Sequence, residues 1–282
     1  MEFKRKPDSR EQMVVREENG VCYLQFEMFS RLGVVRHMFT TRIGGVSDGY
    51  MGTMNLSYTR GDKKENVNEN FRRISEIMEC KLDDFVLSDQ THTDNIRIVT
   101  DEDRGKGLTR SKDYTDVDGL ITNKKGIVLS AFFADCVPLY FLDPVKEVIA
   151  LSHSGWKGTV KKIGKKTVEL MKKEYGCKNT DIIAAIGPSI CKECYEVSEN
   201  VAEEFRKSFK ENRLDNIIYP KDSDKSMLDL WQANKEVLLE AGIIAENICV
   251  TDICTSCNKE LLFSHRASNG LRGNLGAFIK LI

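Results

Sequence analysis

The chain has 282 residues, 41% of them hydrophobic and 30% charged, which is ample material for a packed core. Forty-two basic residues stand against 43 acidic ones, a formal net charge of −1 with no basic block, and this speaks against nucleic acid as a partner. No apolar run reaches the roughly 20 residues of a membrane span. The charged stretch MEFKRKPDSREQ has no apolar core of a secretory signal, and nine cysteines suit a reducing cytoplasm.

Residues 1–12 read as a flexible N-terminal tail and 13–282 as one catalytic domain. Two short strands are expected over 14–26 around Asn19-Gly20, another over 34–40, and then a long glycine-containing loop, 40–57. Val67, Phe71, Ile74 and Met78 fall at helical spacing and predict a helix over 66–78. Strands are expected at 85–90 and 96–100, with His92 at the break between them, and 101–114 is polar and expected to be exposed. Residues 119–122 lead into a central stretch, 128–159. There two apolar runs, 139–142 and 148–151, flank a turn at 143–146. Helices are predicted over 159–175, 198–209 and 228–241, the last stopped by Gly242. A buried strand is expected at 182–186, a polar loop at 212–226, and late strands at 248–252, 261–263 and 275–282. Strands outnumber helices in irregular order, which indicates an α+β fold rather than repeated βαβ units.

If Asp143 faces Lys146 across the turn, Leu142 opposes Glu147, Pro138 opposes Leu151, and Cys136 opposes His153. Opposed residues on one face of an antiparallel pair hold their Cβ atoms roughly 4.5–5.5 Å apart. One metal ion could then take both the thiolate and the imidazole, or the imidazole could deprotonate the thiol. His92, one of only four histidines, would complete a set of two His and one Cys with an open fourth position, the ligand count of catalytic zinc. Histidines and cysteines at strand ends are as readily packed side chains, so spacing leaves both readings open.

Arg42 lies beside Gly44 and Gly45, and Lys157 lies in the turn opening a helix; both places can receive an anion, or can simply be turns carrying solvated cations. Asp118 and Asp135 flank the expected cleft as candidates for acid, base or support of a ligand, with structural turn residues as the alternative. Cys191 and Cys194 form one CxxC pair, and Cys254 and Cys257 another. Their separation is far longer than in a compact zinc ribbon, so four reduced thiols on loops are expected.

Together the segments HMFTTRIGGVS (37–47), MNL (54–56), QTH (90–92), DGLIT (118–122), ADCVP (134–138), HSGWKGT (153–159), IGP (186–188), CYEV (194–197), CT (254–255) and FSHR (263–266) resemble the YfiH family, also called the polyphenol oxidase or laccase-domain family. The resemblance spans nearly the whole chain. It implies a single-domain α+β fold, a β-sandwich-like core of mixed sheets flanked by helices, similar to the catalytic domain of cytotoxic necrotizing factor toxins. It also implies a metal, zinc with copper possible, on His92, Cys136 and His153. The implied activity is phosphorolysis of adenosine, inosine, guanosine and S-methyl-5′-thioadenosine, with adenosine deamination. Arg42, Asp118, Asp135 and Lys157, with Cys136 and His153, are the remaining catalytic candidates. Purine nucleosides and phosphate are the expected partners. The chain departs from the family at His265, where an aromatic residue is usual, at Glu196-Val-Ser198, and at Arg272-Gly-Asn274 in place of Thr-Gly-Arg, which displaces or removes the family's last arginine.

Three other readings remain at this level. The toxin-like fold suggests a cysteine hydrolase or amide-editing enzyme with Cys136 as nucleophile and His153 as base. A copper-dependent polyphenol oxidase is opposed by the histidine count, because a multi-copper cluster is built largely from histidines and four are too few. The last is a non-catalytic binding protein.

Overall fold

A computed structural model describes residues 2–6 and 13–282. The described residues form fifteen strands. In chain order the first eight are Val14–Glu18 (β1), Val21–Gln25 (β2), Val35–Thr40 (β3), Phe85–Leu87 (β4), Ile96–Ile98 (β5), Gly119–Thr122 (β6), Val128–Phe133 (β7) and Val137–Asp143 (β8). The rest are Val148–Ser154 (β9), Ile183–Ile186 (β10), Glu196–Ser198 (β11), Ile218–Pro220 (β12), Lys225–Leu228 (β13), Ile248–Val250 (β14) and Leu275–Leu281 (β15). The helices are Glu27–Leu32 (α1), Lys64–Ile77 (α2), Trp156–Val160 (α3), Ile163–Tyr175 (α4), Glu199–Ser208 (α5), Glu211–Leu214 (α6) and Leu230–Glu240 (α7).

Two six-stranded mixed sheets, ordered β1-β2-β3-β15-β7-β4 and β14-β10-β8-β9-β6-β5, stack face to face. Leu24, Phe39, Leu129, Ala277 and Ile279 of the first sheet meet Leu120, Tyr140, Leu142, Ile149 and Leu151 of the second in one core. Both sheets are apolar on their outer faces too. Val67, Phe71 and Ile74 of α2 cover the first, and α4 and α7 cover the second through Val168, Met171, Val237 and Leu238. This explains why β8 and β9 read as continuous apolar runs instead of alternating: each is buried on both sides. The result is a four-layer helix–sheet–sheet–helix single domain of the α+β class.

The hairpin differs from its expected register. Leu142 faces Ile149, Tyr140 faces Leu151 and Pro138 faces His153. The connection is four residues long, because Asp143 Oδ1 accepts from the N–H groups of both Val145 and Lys146, and Glu147 closes the turn in the left-handed region. The shift amounts to two residues, one full side-chain period, so Cys136 stays on the same face as His153 but lies beyond the end of β8.

Other expectations change as well. The helix predicted over 159–175 is two helices, α3 and α4, broken where Lys162 turns left-handed. The polar loop at 212–226 contains α6, β12 and the start of β13, which with β11 make a small three-stranded sheet. Residues 261–263 form a turn, with the Leu261 and Leu262 N–H groups donating to the Asn258 carbonyl; their apolar side chains serve the core. Asp103 and Lys106 are a buried ion pair inside the supposedly exposed 101–114 segment. Of the expected tail, residues 1 and 7–12 lie outside the described residues. Residues 2–6 run against the 252–258 loop, with Phe3 buried and the Lys6 N–H donating to the Asp252 carbonyl.

Candidate metal centre

Three chain segments meet at one end of the second sheet. β9 delivers His153, the loop entering β8 delivers Cys136, and the loop after β4 delivers His92. Cys136 Sγ lies 3.9 Å from His92 Nε2, and the donor atoms of all three residues lie within 4.8 Å of one another. The rings of His92 and His153 stand nearly perpendicular with centroids 4.9 Å apart.

Asp118, completely buried just before β6, organises both histidines. Its Oδ1 lies 2.7 Å from His153 Nδ1, and the His153 backbone N–H donates to the Asp118 carbonyl. The same carboxylate accepts from the N–H groups of Thr91, His92 and Thr93 and from the Thr93 hydroxyl. This cradle holds His92 in the left-handed region at φ 66°, a conformation uncommon for residues other than glycine. The Gln90 side chain pins the loop from the other side, exchanging two hydrogen bonds with the backbone of Phe132. Burial opposes the charge of Asp118, but His153 and the hydrogen bonds overcome it and bring the carboxyl to about 2.

Burial likewise disfavours the Cys136 thiolate, yet His153 and His92 pull the thiol down to about 6. His153, in turn, is lifted to about 9 against its own burial by Cys136 and Asp118. The two histidines thus favour the thiolate form of Cys136, the form that binds metal or attacks an electrophile. The donor set fits zinc: one thiolate and two imidazoles, with the Nδ1 of one imidazole held by a carboxylate. Gly155 keeps the space among the donors open, since a Cβ there would come within 2.9 Å of Cys136 Sγ and 3.1 Å of His92 Cδ2.

Residues 36–282 match the family described as multi-copper polyphenol oxidoreductase laccase. The chain belongs to this family. It is 36% identical over 250 residues to the purine nucleoside phosphorylase YlmD of Bacillus subtilis strain 168, covering 86% of each chain. It is 35% identical over 231 residues to adenosine deaminase RL5 from an unknown prokaryotic organism, covering 81% of this chain and 87% of the other. The crystal structure of the hypothetical protein YfiH of Bacillus licheniformis superposes with a TM-score of 0.89 at 34% identity, over 95% of this chain and 99% of that one.

This laccase-family chain carries the other expected residues in different surroundings. Asp135 adopts φ 85°; its Oδ1 accepts from the Thr255 hydroxyl and its Oδ2 from the Arg266 N–H, so it braces the Cys136 loop. Arg42 spends two N–H donors on the carbonyls of Gly52 and Lys259 and stacks 4.8 Å from the Phe263 ring centroid. Lys157 is exposed, its ammonium over the Trp156 ring, and no contact joins it to the metal candidates among the described residues.

Arg272 was not expected at the site. It shares a small pocket with Arg42, Tyr50, Ser264 and Ser268. Burial and then the nearby Arg60 push its guanidinium down to about 10, while Asp135 and Cys136 pull the other way. The Nε atoms of both Arg60 and Arg272 are buried without a partner. Arg272 Nη1 donates to the Gly273 carbonyl and to Asn274 Oδ1, so the two neighbouring cations keep only part of their donor set for an anion. The one sequence clue was Arg272 itself, two positions before the place where the family's arginine stands.

Proposed function

We propose that this chain is a purine nucleoside phosphorylase that also deaminates adenosine. Its substrates are adenosine, inosine, guanosine and S-methyl-5′-thioadenosine, with zinc, or alternatively copper, on His92, Cys136 and His153. The observation that carries this reading is the convergence of two imidazoles and a thiolate around open space in a chain similar to enzymes of both names. A zinc held there supplies a Lewis acid and an activated water at neutral pH.

The protein's own groups have separable tasks. Asp118 holds the proton on His153 Nδ1, which leaves Nε2 as the donor. With its carboxyl near 2 and every acceptor engaged, Asp118 positions the histidines and is unsuited to protonating a departing purine. In phosphorolysis a phosphate oxygen bonds to C1′ of the ribose as the C1′–N9 bond breaks. The dianion must be held without water competing for it. Arg272 and Arg42, which line one pocket, suit that task, with Arg60 close to Arg272 and Lys157 as a further candidate. A content of nine cysteines suits a cytoplasmic location, and no helix among the described residues is long and apolar enough to cross a membrane.

The test is a kinetic series on adenosine, following purine base and inosine separately across a phosphate titration. Base release should rise with phosphate while inosine formation should not, and His92→Ala should depress both. Absence of both products in metal-replete protein would overturn the reading. The cysteine-hydrolase alternative draws support from one observation, the Cys136–His153–Asp118 alignment, which matches a nucleophile, base and orienting acid. A chelator separates the two readings: it should abolish nucleoside turnover but unmask a cysteine nucleophile.

A further inference from the structure

The second cluster of metal-binding side chains lies outside the site just described. Cys191 and Cys194 follow β10, and Cys254 and Cys257 follow β14. These two strands are parallel neighbours: Ala184 faces Ile248, an offset of 64 residues. Parallel strands send their following loops out at the same end of the sheet. Here the pairing persists beyond the strands, with the Thr251 N–H donating to the Ile186 carbonyl, the Thr255 N–H to the Ser189 carbonyl, and Ser189 bridging Cys254. Cys191 and Cys254 are 63 residues apart, as are Cys194 and Cys257, so the strand register itself sets the two CxxC pairs side by side. The long intervening sequence, which spoke against a joint site, is spanned by the sheet.

All four sulfurs lie within 4.8 Å of one another. Cys194 Sγ and Cys257 Sγ are 3.5 Å apart, and Cys191 Sγ and Cys257 Sγ are 3.9 Å apart. A tetrahedron with metal–sulfur bonds of about 2.3 Å has edges of ~3.8 Å, whereas a disulfide requires ~2.05 Å. Backbone N–H groups already point at the sulfur of Cys254: that of Cys191 at 3.3 Å and that of Cys257 at 3.4 Å. Such donors stabilise a thiolate's negative charge. An iron–sulfur cluster has several irons between its cysteines and needs a wider cage than this.

We propose that Cys191, Cys194, Cys254 and Cys257 bind one structural zinc ion as a tetrathiolate site. The ion joins three segments and reinforces the hydrogen bonds and the Arg5–Asp252 ion pair that already link them. The Lys4 N–H donates to Asn258 Oδ1, and Asn258 Nδ2 donates to the carbonyls of Lys4 and Cys254, so the N-terminal strap lies along the same loop. Lys6, paired with Glu193, sets a cation beside the cluster and offsets part of the excess negative charge of four thiolates around a divalent ion. The clamp also reaches the first site. Thr255 donates to Asp135 Oδ1, and the Ile190 N–H donates to the Asp135 carbonyl, so the loop carrying Cys136 rests on residues adjacent to the tetrathiolate ligands.

The experiment uses untagged full-length protein prepared in zinc-containing medium without chelator, and it keeps the two sites apart. The variant His92→Ala/Cys136→Ala should retain one zinc per chain, and after cobalt exchange it should show the intense thiolate-to-cobalt absorption of a tetrahedral site. Cys254→Ser/Cys257→Ser should hold one zinc fewer than the unmodified protein and, after cobalt exchange, should keep only the weaker absorption of the single Cys136 thiolate. Should the serine variant fail to fold, a mercurial titration of His92→Ala/Cys136→Ala gives the same reading: one zinc should be released as four thiols are blocked. Zinc-free His92→Ala/Cys136→Ala, or a disulfide among these four cysteines in protein purified under reducing conditions, overturns the proposal. Failure of the nucleoside reactions would leave this result untouched, since metal content and spectrum are read without turnover.

Discussion

At the scale of single residues, Asp118 matters most, because one buried carboxylate fixes both histidines and sets the charge of Cys136 through His153. Asp118→Asn keeps the size and removes the charge. It should weaken zinc binding by about 10–100-fold, the usual cost of losing the partner that orients a metal-bound histidine, as measured by competition with a chromophoric chelator. The metal-free thiol gives a second reading. Thiolate forms above about 6 in the unmodified protein, so alkylation of Cys136 should accelerate as pH rises through that value. In Asp118→Asn the rise should move toward the ordinary thiol range, and an unchanged profile would mean that Asp118 does not act through His153. The arginines make a second prediction. A charge-assisted pair to phosphate contributes about 1.5–3 kcal/mol, so removing the true anchor should slow base release about tenfold to over a hundredfold, while inosine formation falls much less. Arg272→Ala should show that split more strongly than Arg42→Ala, because Arg42 spends both Nε and Nη1 on backbone carbonyls, whereas Arg272 spends Nη1 alone, on the Gly273 carbonyl and Asn274 Oδ1. Equal loss of both products in Arg272→Ala would make Arg272 a placer of the nucleoside instead.

Among the elements, α2 shows how one polar residue on a buried face can serve a loop. Its face of Val67, Phe71 and Ile74 was legible from helical spacing, but Asn70, on the same buried side, is a polar residue with hydrogen-bonding groups to satisfy. Its Oδ1 accepts from the Val46 N–H, and its Nδ2 donates to Ser47 Oγ and to the carbonyls of Thr53 and Asn55. It thereby ties down the loop that follows Arg42. Asn70→Ala would take away the partner of the Val46 N–H and of the Asn55 carbonyl, at about 1–3 kcal/mol for such a loss, and urea denaturation should show a drop of about 2 kcal/mol. A change below ~0.5 kcal/mol would mean that water replaces the side chain. The central hairpin carries a different lesson. The apolar runs and the turn composition gave the two strands, but the turn length depended on Asp143 capping two N–H groups, a contact that composition does not reveal. The error was one side-chain period, and so the face assignment of Cys136 and His153 survived it. The polar sequence at 212–226 hid two short strands because a small edge sheet needs few apolar residues.

For the whole molecule, the tight packing between α1 and the two sheets has a cost in acid. His37 on β3 is fully enclosed by Phe26, Phe29 and Tyr140, and its Nε2 accepts the Phe26 N–H. Burial lowers its pKa to about 3. The fold therefore holds His37 neutral, and its contribution is fully present above the unfolded value near 6.5. That contribution is lost progressively as pH falls toward about 3, at about 1.4 kcal/mol per pH unit. Unfolding at pH 7 and pH 5, followed by the fluorescence of Trp156 and Trp231, should show a loss of about 2 kcal/mol that His37→Gln largely lacks; parallel pH dependence in both proteins would exclude His37 as the source. Sequence alone determined the α+β class, the helices with strong 3.6-residue periodicity, and the three residues of the metal candidate. Those signals are local: apolar spacing, turn residues, and short motifs whose chemistry is visible residue by residue. Tertiary structure alone decided that Asp118 serves two histidines, that Arg272 and Arg42 line one pocket with Arg60 close to Arg272, and that two CxxC pairs about sixty residues apart form one cluster. The reason is physical. Contacts of that kind follow from which strands pair and in what register, and register is set by the burial of whole sheets rather than by any one stretch of chain.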